Sequence, residues 1–349
     1  MSQPVEFSIE TGNILTFEAD AIALKHAQAF LGVDKAVAHA LGVAGISSNE
    51  LACQPGDYRY VDTQNSVLAR HALFVGMPPI ADIGYQQVKE FAARVLLVLQ
   101  REAPRTSHAA LTLHGSGFGL DEVEVFLSEF QGCLEAVQMG AIPDALERIT
   151  IVERNSDRVQ RLRQALEQQL ADVRYAERVE TRWAYRLSPA REVRRGHAPP
   201  APPAPKGLET LEIATAVYQT KPHAFVAMPF KKEMDDVFYY GIQGPVRSAG
   251  YLCERVDQEA FTGDILDRVK EKIETAAVIV ADLTGANPNV YLEVGYAWGK
   301  GRPTVLVAAA ENELKFDVRG QRCLTYERIR DLEEALTREL TELKARGLI

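Results

Sequence analysis

"ADLTGANPNVYLEVGYAWGKGRP", residues 281–303, decides how the second half of this chain is read. It opens on the tail of AVIVAD, a near-continuous apolar run of the kind that forms a central strand covered on both faces. Asn287 then stands as N-cap and Pro288 at the first helical position, a favoured pair at a helix start. A capping-box carboxylate would belong at position 290, which is Val290, so Glu293 is not a cap. Helical spacing puts Val290, Glu293, Val294 and Ala297 on one stripe, turning the carboxylate toward the sheet close to Asp282. A buried ion costs on the order of several kcal/mol. Two readings meet that cost. Either Glu293 pairs with a basic residue such as Arg255, or it is held in a low-dielectric cleft to attack or stabilise an electron-poor carbon. Gly295 and Gly299 favour the second, because they let a ligand or another backbone approach the helix.

Around this stretch strands and helices take turns. HAFVAMP, YLCERV, AVIVAD and TVLVAAA alternate with helical patterns through MDDVFYYGIQGPVRSAG, DILDRVKEKIETA, the Glu293 segment and a last helix from about Arg328. The first half repeats the scheme with VEFSI, AIAL, HALFVGM, AALTLHG and RITIVE. Such alternation predicts α/β architecture with parallel sheets and crossover helices in two domains. Ligands of open parallel sheets bind outside the carboxyl ends of the strands. The polar residues of the second half fall there: Asp282 after one strand, Arg255 and Asp257 at a second, Met228, Pro229 and Phe230 at a third. The stripe of Ile329, Leu332, Leu336, Leu340 and Leu343 is expected to pack the last helix on its own sheet.

RRGHAPPAPPAPKG, residues 194–207, reads as a semi-rigid spacer, since repeated proline neither joins a sheet nor continues a helix. The expected domains are 1–172 and 208–349, with 173–207 connecting them. Within that connection, 173–193 fits an extra strand pair or a docking segment equally well. The 349 residues suffice for two cores. A net charge of -9 disfavours sequence-independent binding to nucleic acid. The start has no signal-peptide pattern and no run reaches the length of a membrane span, so the cytoplasm is the expected location. Cys53, Cys133, Cys253 and Cys323 are far apart and no histidine stands at zinc-ligand spacing, so neither a metal nor a cofactor is expected.

"AFVAMPF", "VIVADLTG", "NPNVYLEVGYAWGKGRP" and "FDVRGQRCLTYE", in this order between about Pro222 and Leu340, resemble the nucleoside 2-deoxyribosyltransferase-like branch of the TIR-like superfamily, a flavodoxin-like fold. The resemblance implies that Glu293 is the catalytic residue, that Met228 to Phe230 shape a nucleoside pocket, and that Asp282 lies beside the sugar or base. Arg255, Asp257 and Asn289 join the expected substrate-binding set. Family members cleave or exchange N-glycosidic bonds, and TIR relatives hydrolyse NAD. Tyr291, Tyr296 and Trp298 are candidates for stacking on a base or for plain core packing.

"LTLHGSGFGLDEVEVF", residues 111–126, is a strand, a glycine-rich turn and a helix start, which fits equally a site offering backbone N–H groups to a phosphate and a tight structural turn. With "TGNILTFEADAIAL" and "FLGVDKAVAHALG" it resembles a macro domain, or the macro-like N-terminal domain of leucyl aminopeptidases, over about residues 5–172. That resemblance implies an adenine contact at Asp20, a first phosphate loop at Gly32, Val33 and Asp34, and a second at Gly115, Ser116, Gly117, Phe118 and Gly119. ADP-ribose-hydrolysing macro domains carry asparagines where this chain has Ala23, Leu24, Lys25 and His26, so catalysis is not expected in this half. The pairing resembles antiphage proteins in which a sensor domain, on binding a nucleotide-derived signal, releases a TIR-like domain that depletes NAD, usually as an oligomer. The expected function is therefore N-glycosidic cleavage of NAD or a related nucleotide. The alternatives are a salvage deoxyribosyltransferase and a non-catalytic nucleotide-binding scaffold.

Overall fold

The computed structural model describes residues 4–115, 119–171, 176–188, 221–229, 231–256, 265–309, 318 and 320–349. The proline-rich stretch and the expected site residues Ser116, Gly117, Phe118, Phe230 and Asp257 lie outside the described residues.

Two sheets organise the molecule. The first has the order β3-β4-β2-β5-β6-β1-β8-β7. Its centre is five parallel strands: β1 (Val5–Thr11), β2 (Ala21–His26), β4 (His71–Gly76), β5 (His108–Thr112) and β6 (Arg148–Glu153). β3 (Tyr58–Asp62) closes one edge antiparallel to β4. At the other edge, β7 (Ala176–Arg178) and β8 (Tyr185–Leu187) form an antiparallel pair that joins β1. Residues 176–187 are thus the extra strand pair, and they extend the first sheet.

Helices cover both faces. α1 (Gly32–Val43) and the single-turn α2 (Ser48–Leu51) pack Val37, Leu41 and Leu51 against Ile22, Leu24 and Phe74. On the other face, α3 (Tyr85–Glu102), α4 (Glu122–Met139) and α5 (Ser156–Leu170) bury Phe91, Phe126, Phe130 and Leu162 against Phe7, Ile9 and Leu111. The close crossing of α3 and α4 needs Gly132: a Cβ there would stand 2.1 Å from the Lys89 carbonyl oxygen.

The second sheet is all parallel: β10 (Leu252–Glu254), β9 (His223–Ala227), β11 (Val278–Asp282), β12 (Thr304–Ala308) and β13 (Cys323–Thr325), in that spatial order. Counted within this half the order is 2-1-3-4-5, the flavodoxin-like winding, whose switch point lies between the first and third strands. α7 (Ile265–Thr275) and α8 (Pro288–Gly299) cover one face through Val269, Ile273, Val290, Val294 and Ala297. The opposite face is covered by a π-helical segment (Val237–Gln243) running into α6 (Gly244–Ser248), and by α9 (Ile329–Ala345). The expected stripe of α9 is in place: Leu332, Leu336 and Leu340 are fully buried there.

The halves meet through a buried polar interface. Asp121, the N-cap of α4, accepts from its own helix at Val123 N and Glu124 N, from the main-chain N–H of Cys253 on β10 at 2.9 Å, and from Arg247 at 2.5 Å. Tyr85 donates to Glu254 Oε1 at 2.7 Å and accepts from Asp121 N. Lys272 closes the network on Glu254 Oε2 at 2.6 Å. The Arg161 guanidinium of α5 stacks 3.5 Å over the Tyr239 ring of the π-helical segment.

Candidate functional site

α8 begins where the spacing places it. Asn287 caps the helix by accepting from Asn289 N, and Pro288 takes the first position. Val290, Val294 and Ala297 enter the core, and Glu293 sits at the margin of their stripe, half-buried. Its carboxyl faces α7. Together with Asn289, Leu292 and Tyr296 of its own helix, and Leu266, Val269, Lys270 and Ile273 of α7, it lines a pocket of about 330 Å³. This corrects the expectation that the carboxylate lies beside Asp282. A residue on the edge of a stripe follows the groove to the neighbouring helix, and here that helix is α7.

The pocket wall is mostly aliphatic, and burial pushes the Glu293 carboxyl up to about 7. No hydrogen bond or ion pair joins Glu293 to another described residue. The pairing with Arg255 is therefore absent. Lys270, the cation on the pocket wall, is turned to Asp267 at 3.1 Å. Tyr296 lines the pocket and donates its hydroxyl to Glu274 at 2.5 Å. Tyr291 packs against the core, and Trp298 lies on the exposed side of α8. Among the described residues none makes the close approach expected at Gly295 and Gly299: both are exposed, with open space where a Cβ would stand.

The remaining expected residues of this half occupy two other places. Asp282 ends β11 completely buried, accepting from Thr284 N at 2.9 Å and from the Tyr326 hydroxyl at 2.9 Å. Those bonds tie the β11 turn to the segment after β13, and Asp282 is not among the residues lining the Glu293 pocket. Met228 and Pro229 follow β9 and are buried. Arg255, just after β10, reaches the Met228 sulfur at 3.7 Å, stacks 4.1 Å over the Phe238 ring and lies 3.8 Å from Asp235. The structure therefore brings Glu293 and Asn289 together, Met228 and Arg255 together, and keeps Asp282 apart with Tyr326.

In the first half, Gly32 and Gly115 both have positive φ and follow the carboxyl ends of β2 and β5. Val33 is half-buried beside Gly32. Asp34 is turned inward, bonded to Lys25 Nζ at 2.5 Å, with its second oxygen unpartnered. Burial raises its carboxyl, and the Lys25 charge pulls the other way. Nearby, His114 is fully buried with neither ring nitrogen partnered, and burial holds it well below its usual range. Glu129 of α4 is pushed well up by burial, with the Lys25 charge pulling the other way.

Asp20 precedes β2, at the amino end of the strand, whereas Gly32 and Gly115 lie past the carboxyl ends. Six residues at ~3.3 Å each put about 20 Å between those ends. Its Oδ2 accepts from Ser107 N, Ser107 Oγ and His108 N at 2.7, 2.8 and 2.9 Å. Partial burial raises its carboxyl, and these hydrogen bonds outweigh that to leave it lowered. Asp20 thus fastens β2 to β5 and is not part of a cluster with the glycine turns. Gly119, at φ +87°, abuts Val256 of the second half.

Among the described residues no group of three His, Cys, Asp or Glu side chains is placed to hold a metal ion, and no helix is long and apolar enough to cross a membrane. Cys53, Cys133 and Cys253 are buried thiols and Cys323 is half-buried.

No protein-family model matches the chain, and no curated protein does. Among solved structures, it is similar to an Oceanobacillus iheyensis macrodomain with MES bound, at 14% identity and TM-score 0.38, covering 47% of this chain and 92% of that one. A Trypanosoma brucei macrodomain in complex with ADP-ribose gives 15% identity and TM-score 0.37, covering 46% and 68%. The macro domain of ganglioside induced differentiation associated protein 2 gives 12% and 0.34, covering 44% and 80%. At these values no ligand or activity follows for this chain.

Proposed function

We propose that the second half is an N-glycosidase acting on the ribosyl–base bond of NAD or a related nucleotide, with Glu293 as its carboxylate. The observation that carries this reading is the pocket itself: an aliphatic cavity of about 330 Å³ holding one unpaired carboxyl raised to about 7. Burying a carboxyl without a partner lowers stability, and such groups concentrate where chemistry uses them. The volume lies at the small end of ligand sites and suits a ribose with its base, with any further phosphates outside.

Cleavage of the C1′–N bond sends the bonding pair to the base nitrogen and leaves oxocarbenium-like charge on the sugar. Ionised Glu293 stabilises that charge across a low-dielectric gap or bonds to C1′ as an ester. Water then forms the new C1′–O bond, displacing Glu293 where an ester had formed; nicotinamide leaves neutral on the electron pair alone with the water's proton going to solvent, whereas a purine or pyrimidine base takes that proton on its nitrogen. Asn289, one helical turn before Glu293, is placed to hydrogen-bond a sugar hydroxyl. The first half is read as a nucleotide-binding regulator, with Gly32 and Gly115 at the strand ends where such sheets take ligands. An antiphage role and assembly into oligomers belong to the same reading.

The test is incubation of the full chain with NAD, and separately with mixed nucleosides and nucleotides, with and without ADP-ribose, following released base by chromatography. Glu293→Gln is expected to lose release by at least about 10²-fold at unchanged fold. Release unchanged in that variant removes the proposal. An added acceptor base separates hydrolysis from deoxyribosyl transfer.

A further inference from the structure

Helix α7 is a wall of two cavities. To the Glu293 pocket it gives Leu266, Val269, Lys270 and Ile273. To a cleft of about 730 Å³ between the halves, it gives Arg268, Glu271 and Lys272, facing the first turn of α3 and Leu120. The two sets lie on different sides of one helix, a division its spacing dictates.

The first half grips this helix at two points. Lys272 is bonded to Glu254, whose other oxygen is held by Tyr85 of α3. Gly119, two residues before the N-cap of α4, is the second point. A Cβ on Gly119 would stand 3.0 Å from Val256 Cγ2 and 3.6 Å from Lys272 Cε. Val256 packs in the same cluster as Val269, Ile273, Val290 and Val294, the residues beneath the Glu293 pocket.

We propose that α7 couples the first half to the Glu293 pocket: movement of the Gly119–Asp121 segment displaces Val256 and Lys272, and α7 carries that displacement to the wall opposite Glu293. The inference rests on reading that pocket as the functional site. Helices in a packed core shift as units, so a push on one face of α7 is felt on the other. A ligand that moves the Gly119–Asp121 segment would thereby widen or narrow the pocket with no contact to it. As the wall moves away, water reaches the carboxyl and its ionised form becomes easier to hold.

Among the described residues, the polar and charged groups around Glu293 are Lys270 from α7, with Asp267 beside it, and Asn289 and Tyr296 from α8. The test follows the Glu293 carboxyl by ¹³C NMR titration in the full chain, its resonance assigned with Glu293→Gln. Gly119→Ala, Lys272→Met and Tyr85→Phe are compared with wild type, and Val43→Ser, on the exposed face of α1, is the control. Gly119→Ala, which pushes α7 toward the pocket, is expected to raise the midpoint, and Lys272→Met and Tyr85→Phe, which loosen the grip, to lower it, each by roughly half a pH unit or more, with the control leaving it in place. Removing the Lys272 charge by itself would raise the midpoint, so its direction separates a moved wall from lost Coulomb attraction. If Lys272→Met does not fold, Tyr85→Phe removes one hydrogen bond and no charge. Midpoints unchanged in Gly119→Ala and Tyr85→Phe overturn the coupling. Titration needs no substrate, so the coupling can fail while base release stands, and base release can fail while the coupling stands.

Discussion

A carboxyl raised to about 7 in the folded chain leaves a mark on stability whose sign is fixed. The folded state holds the Glu293 proton more tightly than the unfolded chain, so the native state loses stability as pH rises from the ordinary carboxylate range through 7. Across that window the loss is about 3 kcal/mol at most. Glu293→Gln removes it, so the variant is expected to match wild type near pH 4 and to melt at higher temperature at pH 8. Thermal melts across that range check this, and a variant no more stable at pH 8 means the carboxyl is well hydrated. Asp282 has a structural role, as a buried acceptor. Tyr326→Phe takes one of its donors and is expected to cost about 1–3 kcal/mol in denaturant unfolding, the penalty of a buried acceptor left short. At this scale the sequence showed that Glu293 is not a cap and lies near an apolar stripe. It did not show which neighbour the carboxyl faces, because the crossing of α7 over α8 is a packing outcome with no local signature. The tie between Asp282 and Tyr326 spans 44 positions and was equally invisible.

Elements with strong periodicity were legible. α7, α8 and α9 lie on the expected stretches, α4 begins where residues 111–126 put a helix start, and the apolar runs became β1, β2, β4, β5, β6, β9, β10, β11 and β12. The strands missed were edge pieces. β3 is half-exposed and rich in tyrosine, and β13 has three residues, so neither carries an apolar run long enough to read. Gly132 is a further case: inside a helical pattern it resembles a weak point, whereas it is the contact that lets α3 and α4 touch. Gly132→Ala would drive a methyl into the Lys89 carbonyl and is expected to cost about 1–3 kcal/mol despite alanine's better helix propensity. Chemical denaturation measures this, and a stabilised variant would mean the helices part freely.

At the scale of the whole molecule, two α/β halves were expected to be joined by a spacer, and the structure adds a direct interface between them. Asp121, completely buried, serves α4, β10 and Arg247 at once. Asp121→Ala leaves an arginine and a strand amide without their acceptor, at a cost of about 3 kcal/mol. Calorimetry of the wild-type chain is expected to show one transition, and of this variant two separated ones; a single unshifted transition in both would mean that the halves are not energetically linked there. The polar character of this contact explains why it escaped the sequence, since Tyr85, Asp121, Glu254 and Lys272 look like ordinary cap, surface and strand-end residues.

β10 pairs with β9 on one side only, and on its other side the main-chain N–H of Cys253 is occupied by Asp121. A fragment expressed from residue 208 onward would uncover this strand margin together with Leu252, which packs into the first half's core. Open strand margins recruit other chains, so the shortened protein is expected to precipitate or self-associate where the intact one stays dispersed.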